Sequence, residues 1–589
     1  MIKLVDRPKN TFVFARKKVL YFFKWDRNAP ACLTQVKNKR PVMMRIRHVA
    51  STLLSFIILA GLSACNEDDA PSVDSPSPET TQSMTLFEEG RELVANTCTA
   101  CHMELEDGGL SRISESRRTP EGWEMNVVRM MRFHGLDLSR SERRAIVKYL
   151  SDTNGLAPSE TTPFRYALER QPDVIEAQDN PRMMEMCARC HSMARIGLQR
   201  RTKTEWDLLV QMHAGQWPTL EYQMLSRDRD WLDEASGWVV DDLSKAYAFD
   251  DPAWASWQAA DQHGLDGKWR YVSYIRGQGY HHGMLEFDEK QGDEYSVRYD
   301  SVTPDGTSVS GDYSGILYTG YEWRGRGQFG DAEAREVAAL SEDGNSLTGR
   351  WFEADQDEKG GSIHAVRLGS GSRIMAVVGE ALPRGGEQEL VVYGAELKGG
   401  LDLGPGVTAE VLEADSNHIR ARVAIAGDAE PGRRSIRVGE ETMTDAVAVY
   451  DRIDRVEVAP DYGVGRVGGH GGTRPKQTVQ FEAIAFSNGA DGEAGTADDF
   501  RIGVMNADWS LAPTDETSEM MEDVKFAGTM SQNGLFTPGA AGPNPERRFG
   551  TNNAGDLQVT ASVRDGDRSV EGQARLIVTV QRWNEPPIY

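Results

Sequence analysis

The sequence predicts a multidomain chain: an α-helical lead domain, then an antiparallel β-barrel-like domain and two immunoglobulin-like β-sandwich domains. Three observations predict it. Between Thr97 and His213 apolar residues recur at helical spacing around two short Cys-containing motifs. From residue 263 the pattern changes to short alternating runs broken by Gly and Asp-Gly, which is strand grammar. From residue 371 further alternating runs fall into two blocks, 371–451 and 452–589. At 589 residues, with 39% hydrophobic and 26% charged positions, the composition is that of a globular chain of about four domains. A formal net charge of -24 argues against nucleic acid as a partner.

Residues 1–42 are basic and without periodicity. Met43-Met44-Arg45-Ile46-Arg47-His48 then reads as the n-region of a signal peptide, so that the true start is open between Met1, Met43 and Met44. Val49 to Ala64 is apolar but for Ser and Thr, too short to span a bilayer and of h-region length. The segment 1–64 ends at Leu62-Ser63-Ala64-Cys65, which resembles the lipobox of bacterial lipoproteins; ordinary signal cleavage leaving a chance Cys65 is the alternative. Either route exports the protein, and a lipid on Cys65 is the one expected tie to a membrane. Residues 65–83, rich in Asp, Ser, Pro and Thr, read as a disordered tether.

The helical domain is expected over 84–262. Its motifs are Cys98-Thr99-Ala100-Cys101-His102 and Cys187-Ala188-Arg189-Cys190-His191. C-x-x-C-H is the attachment signature for c-type haem: two thiols on one turn reach one porphyrin, and the adjacent His meets the iron. One such motif could be a redox dithiol or half a zinc site; two copies, both ending in His, leave little room for that. Of the six Cys, four go to haem, one to the lipobox, and Cys32 lies in the segment expected to be lost, so none remains for a disulfide.

A duplication strengthens the reading. Behind the first motif come Arg117-Arg118-Thr119, Trp123, Val127 and Met130; behind the second come Arg200-Arg201-Thr202, Trp206, Val210 and His213. In both copies the offsets from Thr are four, eight and eleven, one face of a helix that starts on a Thr cap. Pro120 at the first helical position and a Thr202/Glu205 capping box support the two starts. This face is expected to carry the second axial ligand. The first haem is then held by His102 and Met130, and the second by His191 and His213. Met131 and His134 lie near Met130, and Met212 and Met224 near His213, as alternatives. Ser139-x-x-Glu142 caps a closing helix through Leu150, and Val239 to Tyr247 is its expected counterpart, making an α-helical di-haem cytochrome c domain of two fused units. Trp217, Trp231, Trp238, Trp254 and Trp257 are expected to pack in the core or on a haem edge.

The barrel-like domain is expected over 263–370, from runs such as Lys268 to Tyr274, Gly283 to Phe287, Tyr295 to Tyr299, Gly311 to Tyr318, Tyr321 to Gln328 and Ser346 to Glu353. His281 and His282 are adjacent on a strand and so point to opposite faces, which argues against a shared metal. Strands of the first sandwich are marked by Val391 to Gly394, His418 to Ile425 and Arg433 to Val438; Val479 to Phe486 and Leu557 to Val563 mark the second. The acidic loop from Asn488 to Asp499 lacks the spacing of an EF-hand, so a solvated turn is favoured over a Ca²⁺ site.

Two C-x-x-C-H units, R-R-T-x-x-x-W repeats and a His-bearing second helix, followed by one barrel-like and two sandwich-like domains, resemble the α subunit of bacterial quinohaemoprotein amine dehydrogenase. The resemblance covers nearly all of the expected mature chain. It implies two covalently bound haem c groups here, and a tryptophylquinone on a separate small γ subunit beside a propeller-type β subunit. It implies a periplasmic complex that oxidises primary amines, in which this chain passes electrons to an external cytochrome c or blue-copper acceptor and has no catalytic residues of its own. A lipobox is not part of that pattern. The competing expectation is a stand-alone di-haem cytochrome lipoprotein whose β domains bind some other partner.

Overall fold

The computed structural model of the chain describes residues 13–16, 19–22, 84–177, 180–218, 220, 227–330, 332–469 and 474–580. They fall into two units, Met1–Thr80 and Thr81–Tyr589. In the first, β1 (Val13–Arg16) and β2 (Val19–Phe22) pair antiparallel. The expected signal segment 43–64, Cys32, Cys65 and the tether up to residue 83 lie outside the described residues.

The second unit opens with helices. α1 (Leu86–Thr97) starts on a Thr85/Glu88 capping box, and α2 (Pro120–His134) starts on Thr119 and stops at Gly135, whose φ of 74° suits a residue without Cβ. α3 (Arg140–Thr153) has the expected Ser139/Glu142 box. Leu86, Val94, Trp123, Val127, Ile146 and Leu150 share one core. The second half has α4 (Pro158–Thr161), α5 (Arg165–Leu168), α6 (Pro181–Cys187), α7 (Ala194–Gly197), α8 (Lys203–Gln216), α9 (Trp231–Glu234), α10 (Val240–Ala246) and α11 (Pro252–Ala259). Met183, Met186, Trp206, Val210, Val240 and Leu243 form its core, with α10 in the place of the closing helix.

Eight strands follow: β5 (Gly267–Ile275), β6 (Gly279–Gln291), β7 (Glu294–Val302), β8 (Ser308–Tyr318), β9 (Glu322–Phe329), β10 (Ala332–Leu340), β11 (Ser346–Glu353) and β12 (Gly360–Arg367). Each pairs antiparallel with the next and β12 closes on β5, an up-and-down barrel without edges. The sequence reading named no run for β10 or β12; the Ala-Glu-Ala-Arg-Glu stretch of β10 has helix-forming residues, and barrel closure overrides that propensity. His281 does point inward and His282 outward, the latter 4.3 Å from the Tyr393 ring.

Two further β blocks complete the unit. In the first, β13 (Arg373–Val378), β15 (Glu387–Ala395), β18 (His418–Ile425) and β17 (Val407–Ala414) make one four-stranded sheet. β14 (Ala381–Pro383), β20 (Glu441–Tyr450), β19 (Gly432–Val438) and β16 (Leu401–Asp402) make another, and both sheets share one apolar core. In the second block the four-stranded sheet is β22 (Tyr462–Arg466), β30 (Arg568–Thr579), β29 (Gly555–Asp565) and β26 (Asp508–Pro513). It shares a core with β21 (Arg455–Ala459), β24 (Glu482–Ser487) and β25 (Phe500–Met505), and with residues of a small third sheet such as Phe536. The acidic loop between β24 and β25 uses its carboxylates on itself: Asp498 accepts from Ala490 N at 2.7 Å and Asp499 from Gly495 N at 2.8 Å.

The barrel's outer wall seats both helical halves. Ile316 and Tyr318 join the first helical core, while Val337 and Phe352 pack with Leu168, Ala194 and Leu198 of the second. The buried Lys148 ammonium reaches Asp293 at 2.7 Å, and also Asp152 and the Leu317 carbonyl.

A feature the sequence reading missed joins the halves. Both Arg-Arg pairs are strands, β3 (Ser116–Arg118) and β4 (Gln199–Arg201), paired antiparallel with Arg117 opposite Arg200. All four guanidinium groups are buried. Glu160, itself buried, accepts from Arg117 at 2.8 and 3.1 Å and pairs with Arg200 at 2.8 Å. The expected Thr202/Glu205 capping box forms only by half: Thr202 accepts from Glu205 N, but the Glu205 carboxylate turns away to Arg201 at 3.2 Å and Arg112 at 2.7 Å. Two guanidinium charges outweigh the gain from one backbone N–H. Burial pushes Arg201 down to about 10, with Arg112 and Arg129 acting the same way against the attraction of Glu205.

Removing one partner of a buried pair leaves the others uncompensated, at about 3–5 kcal/mol. Glu160→Ala should therefore lose stability on that scale in urea unfolding, whereas Arg298→Ala, which breaks an exposed pair with Glu286, should cost less than about 1 kcal/mol.

Candidate functional site

Each Cys motif begins where a helix ends. α1 runs into a 3₁₀ turn at Cys98, whose carbonyl accepts from Cys101 N at 3.1 Å and His102 N at 2.9 Å, folding the motif into one compact turn. In the second copy α6 ends on Cys187, and Ala188 N closes onto the Met184 carbonyl at 2.9 Å. The two copies match in exposure: Cys98 and Cys187 are half-buried, Cys101 and Cys190 exposed. Burial, and then Cys101, push the Cys98 thiol up; burial pushes Cys187 up to about 12. A redox dithiol needs the opposite shift.

The histidines share a more telling geometry. His102 Nδ1 donates to the Ser111 carbonyl at 2.7 Å, His191 Nδ1 to the Ser192 carbonyl at 3.0 Å, and His213 Nδ1 to the Leu209 carbonyl at 2.7 Å. A carbonyl can only accept, so each ring carries its proton on Nδ1 and presents the Nε2 lone pair. No partner fills any of these Nε2 atoms among the described residues. That is the tautomer and orientation of an iron-ligating imidazole, with the backbone as its outer support. Burial pushes His213 below the ordinary histidine value, the Leu209 bond opposing and His191, Arg195 and Arg129 adding to the effect.

The Trp231 ring lies 6.0 Å from the His213 ring. On α2, Met130 and Met131 are both half-buried and His134 is exposed in the last turn; Met212 is half-buried on α8, and Met224 lies outside the described residues. Trp217, expected in the core or on a haem edge, is 59% exposed, and Met103 and Phe133 beside the first motif and on α2 are exposed as well. Apolar surface of this kind beside a Cys-Cys-His donor set suits a flat, largely apolar porphyrin, and the residues present fit haem.

The duplication extends to the supports. Arg118 stacks over Trp123 at 5.5 Å and Arg201 over Trp206 at 5.6 Å. Trp123 Nε1 donates to the carbonyl of Asn154, which caps α3; Trp206 Nε1 donates to that of Tyr247, which caps α10. Sequence reasoning missed Glu176, which accepts from Met193 N at 2.7 Å, Ala194 N at 2.9 Å and the Tyr166 hydroxyl at 2.6 Å, fixing the loop after the second motif. Burial raises its pKa, and those three bonds overcome the rise to hold it below the ordinary carboxyl value. Nothing in the local sequence marks it, because all its partners are set by folding. An open cleft of about 750 Å³ flanks this motif, lined by Glu176, Ala188, Arg189 and Ser192 together with Asp357 and Gln477 from the β domains. Among the described residues no group of three or more His, Cys, Asp or Glu is disposed to hold a free metal ion, the acidic loop included.

Thr202 caps the helix that carries His213. Thr202→Ala should destabilise by about 1 kcal/mol, seen as a lower urea midpoint with an unchanged slope.

Four family models match the chain. They are described as quinohemoprotein amine dehydrogenase A, alpha subunit, haem binding, over residues 88–254, and as domains II, III and IV of the same alpha subunit, over 262–368, 371–451 and 456–588. No curated protein matches. Among solved structures, a de novo designed fluorescence-activating β-barrel is 24% identical, covering 18% of this chain and 93% of its own, with a TM-score of 0.15. A Bacteroides ovatus mixed-linkage glucan utilisation protein, SGBP-B, is 10% identical over 55% of this chain and 70% of its own, at 0.17. Drosophila N-cadherin EC1-4 is 8% identical over 55% and 96%, at 0.15.

Proposed function

The chain belongs to the α-subunit family of quinohemoprotein amine dehydrogenases, and from that premise we propose that it is the di-haem electron-transfer subunit of such a complex. In this reading it takes electrons from a tryptophylquinone on a small γ subunit, beside a propeller-type β subunit. It passes them to an external cytochrome c or blue-copper acceptor while primary amines are oxidatively deaminated. The observation that carries the reading is the set of three imidazoles whose Nδ1 atoms are tied to backbone carbonyls, two of them in C-x-x-C-H motifs.

Cys98 and Cys101 would hold one haem by thioether bonds and Cys187 and Cys190 the other. His102 and Met130 would hold the iron of the first, and His191 and His213 that of the second. Bound there, haem would supply reversible one-electron chemistry. The chain's own residues orient the ligands: Ser111, Ser192 and Leu209 hold the imidazoles, and the Arg118/Trp123 and Arg201/Trp206 stacks hold the helices that bear Met130 and His213. Nothing in the sequence supplies a group that would oxidise an amine, so catalysis belongs to the assembled complex. The signal-like segment 43–64 supports a periplasmic location, and Leu62-Ser63-Ala64-Cys65 supports a lipid anchor there.

The mature protein should carry two covalent haems by intact mass and pyridine haemochrome, and Cys98→Ala/Cys101→Ala should carry one. Haem extractable by acid acetone would overturn the attachment. A thioether ligand favours ferrous iron over a second imidazole. Met130→His should therefore lower the higher of the two reduction potentials; a shift produced instead by Met131→Ala or His134→Ala would move the ligand. The isolated chain should show no amine turnover with an artificial oxidant, whereas the co-purified complex should reduce both haems on adding amine. Haems that stay oxidised in that complex would favour the stand-alone carrier.

A further inference from the structure

The barrel is more than a seat. At the end nearer the helical domain its interior is filled by rings such as Trp269, Phe287 and Trp323. Further along the strands the filling stops. Gly325 and Gly327 of β9 send no side chain inward, and a Cβ at Gly325 would fall 2.9 Å from a Glu336 carboxylate oxygen. A cavity of about 70 Å³ remains. At roughly 10–15 Å³ of such space per water-sized group, it has room for about five heavy atoms.

The polar groups that line it are unusual for a barrel core. Glu336 is 7% exposed; it accepts from Trp323 Nε1 at 3.0 Å and from the Tyr313 hydroxyl, yet no cation pairs with it among the described residues. Burial raises its pKa, with those two bonds opposing. His281 is 5% exposed. Its Nε2 donates to Gln278 Oε1 at 3.3 Å, and its Nδ1 is buried with no partner, so an unused lone pair remains inside the barrel. An orphaned buried acceptor and an uncompensated carboxyl are each costly unless something meets them. Around them stand ring faces: Tyr299 stacks on Phe329 at 5.4 Å, and Phe329 lies 4.4 Å from Trp351. A carboxyl, an imidazole lone pair and aromatic faces together are the complement of a cation with N–H donors and a short apolar tail.

We propose that the barrel cavity binds a small primary alkylammonium ion of about five heavy atoms, its ammonium on Glu336 and His281 and its alkyl chain against Tyr299, Phe329 and Trp351. The site lies wholly within one domain of this chain, and the inference does not rest on the electron-transfer reading.

Calorimetric titration of the full chain with n-butylammonium chloride tests it, with n-butanol and sodium chloride as controls. The expected result is saturable 1:1 binding with Kd of about 1 mM or tighter. n-Butanol should bind at least about tenfold more weakly, because it lacks the charge that Glu336 compensates. Glu336→Gln, which keeps an acceptor for Trp323 and Tyr313, should weaken the ammonium about tenfold or more, and Gly325→Ala should block the cavity. Absence of saturable heat up to roughly 50 mM, equal affinity for the alcohol, or an undiminished affinity in folded Glu336→Gln would each overturn the proposal. Should Glu336→Gln fail to fold, the comparison of ammonium with alcohol on the unaltered chain decides.

Discussion

The structure depends on a constraint at its centre: four arginines must be buried to bring two copies of one helical unit back to back. The β3–β4 ribbon does this with only three residue pairs, and its backbone bonds are too few to hold two domains. The side chains supply the rest. Glu160 ties Arg117 of one copy to Arg200 of the other, and Gln199 accepts from both Arg118 at 3.0 Å and Arg201 at 2.9 Å. Each guanidinium is also stacked on an aromatic ring, which offsets part of the cost of leaving water. Arginine suits the position because its planar fork keeps its charge and meets several acceptors at once.

From that ribbon start the helices that carry Met130 and His213. Thr119 and Thr202 directly follow the buried arginines and cap α2 and α8, so the cap, the Arg–Trp stack and the helix face with Met130 or His213 are one connected piece in each copy. Met125 of α2 lies 3.3 Å from the Arg195 guanidinium of the second copy, a further contact between the two halves. The barrel wall then locks both copies from outside, through Lys148 on one side and Arg165, which reaches Glu322 at 2.9 Å, on the other.

Much of this was legible in the chain. Two complete C-x-x-C-H motifs define a donor set by local spacing alone, and the equal offsets to Trp and Val are a helix face that needs no tertiary information. The capping box at Ser139/Glu142 and the opposite faces of His281 and His282 are likewise local geometry. Where the reading failed, a distant partner had won. Glu205 abandons its cap for two arginines, one of them 93 residues away. β10 has helix-forming residues but is a strand because a barrel must close.

What the sequence determined by itself is the chemistry on offer: thiols and imidazoles at fixed short intervals, twice, ahead of a long β portion. These depend on contacts within one or two turns, which sequence spacing sets directly. What only the tertiary structure decided is the orientation and surroundings of those groups. The carbonyl that fixes His102 comes from Ser111 across a loop, Glu176 reaches Met193 beyond the second motif from 17 residues upstream, and Glu336 and His281 line one cavity because eight strands closed a ring. Such contacts form between segments whose separation along the chain carries no periodic signal, so they are specified only when the cores have packed.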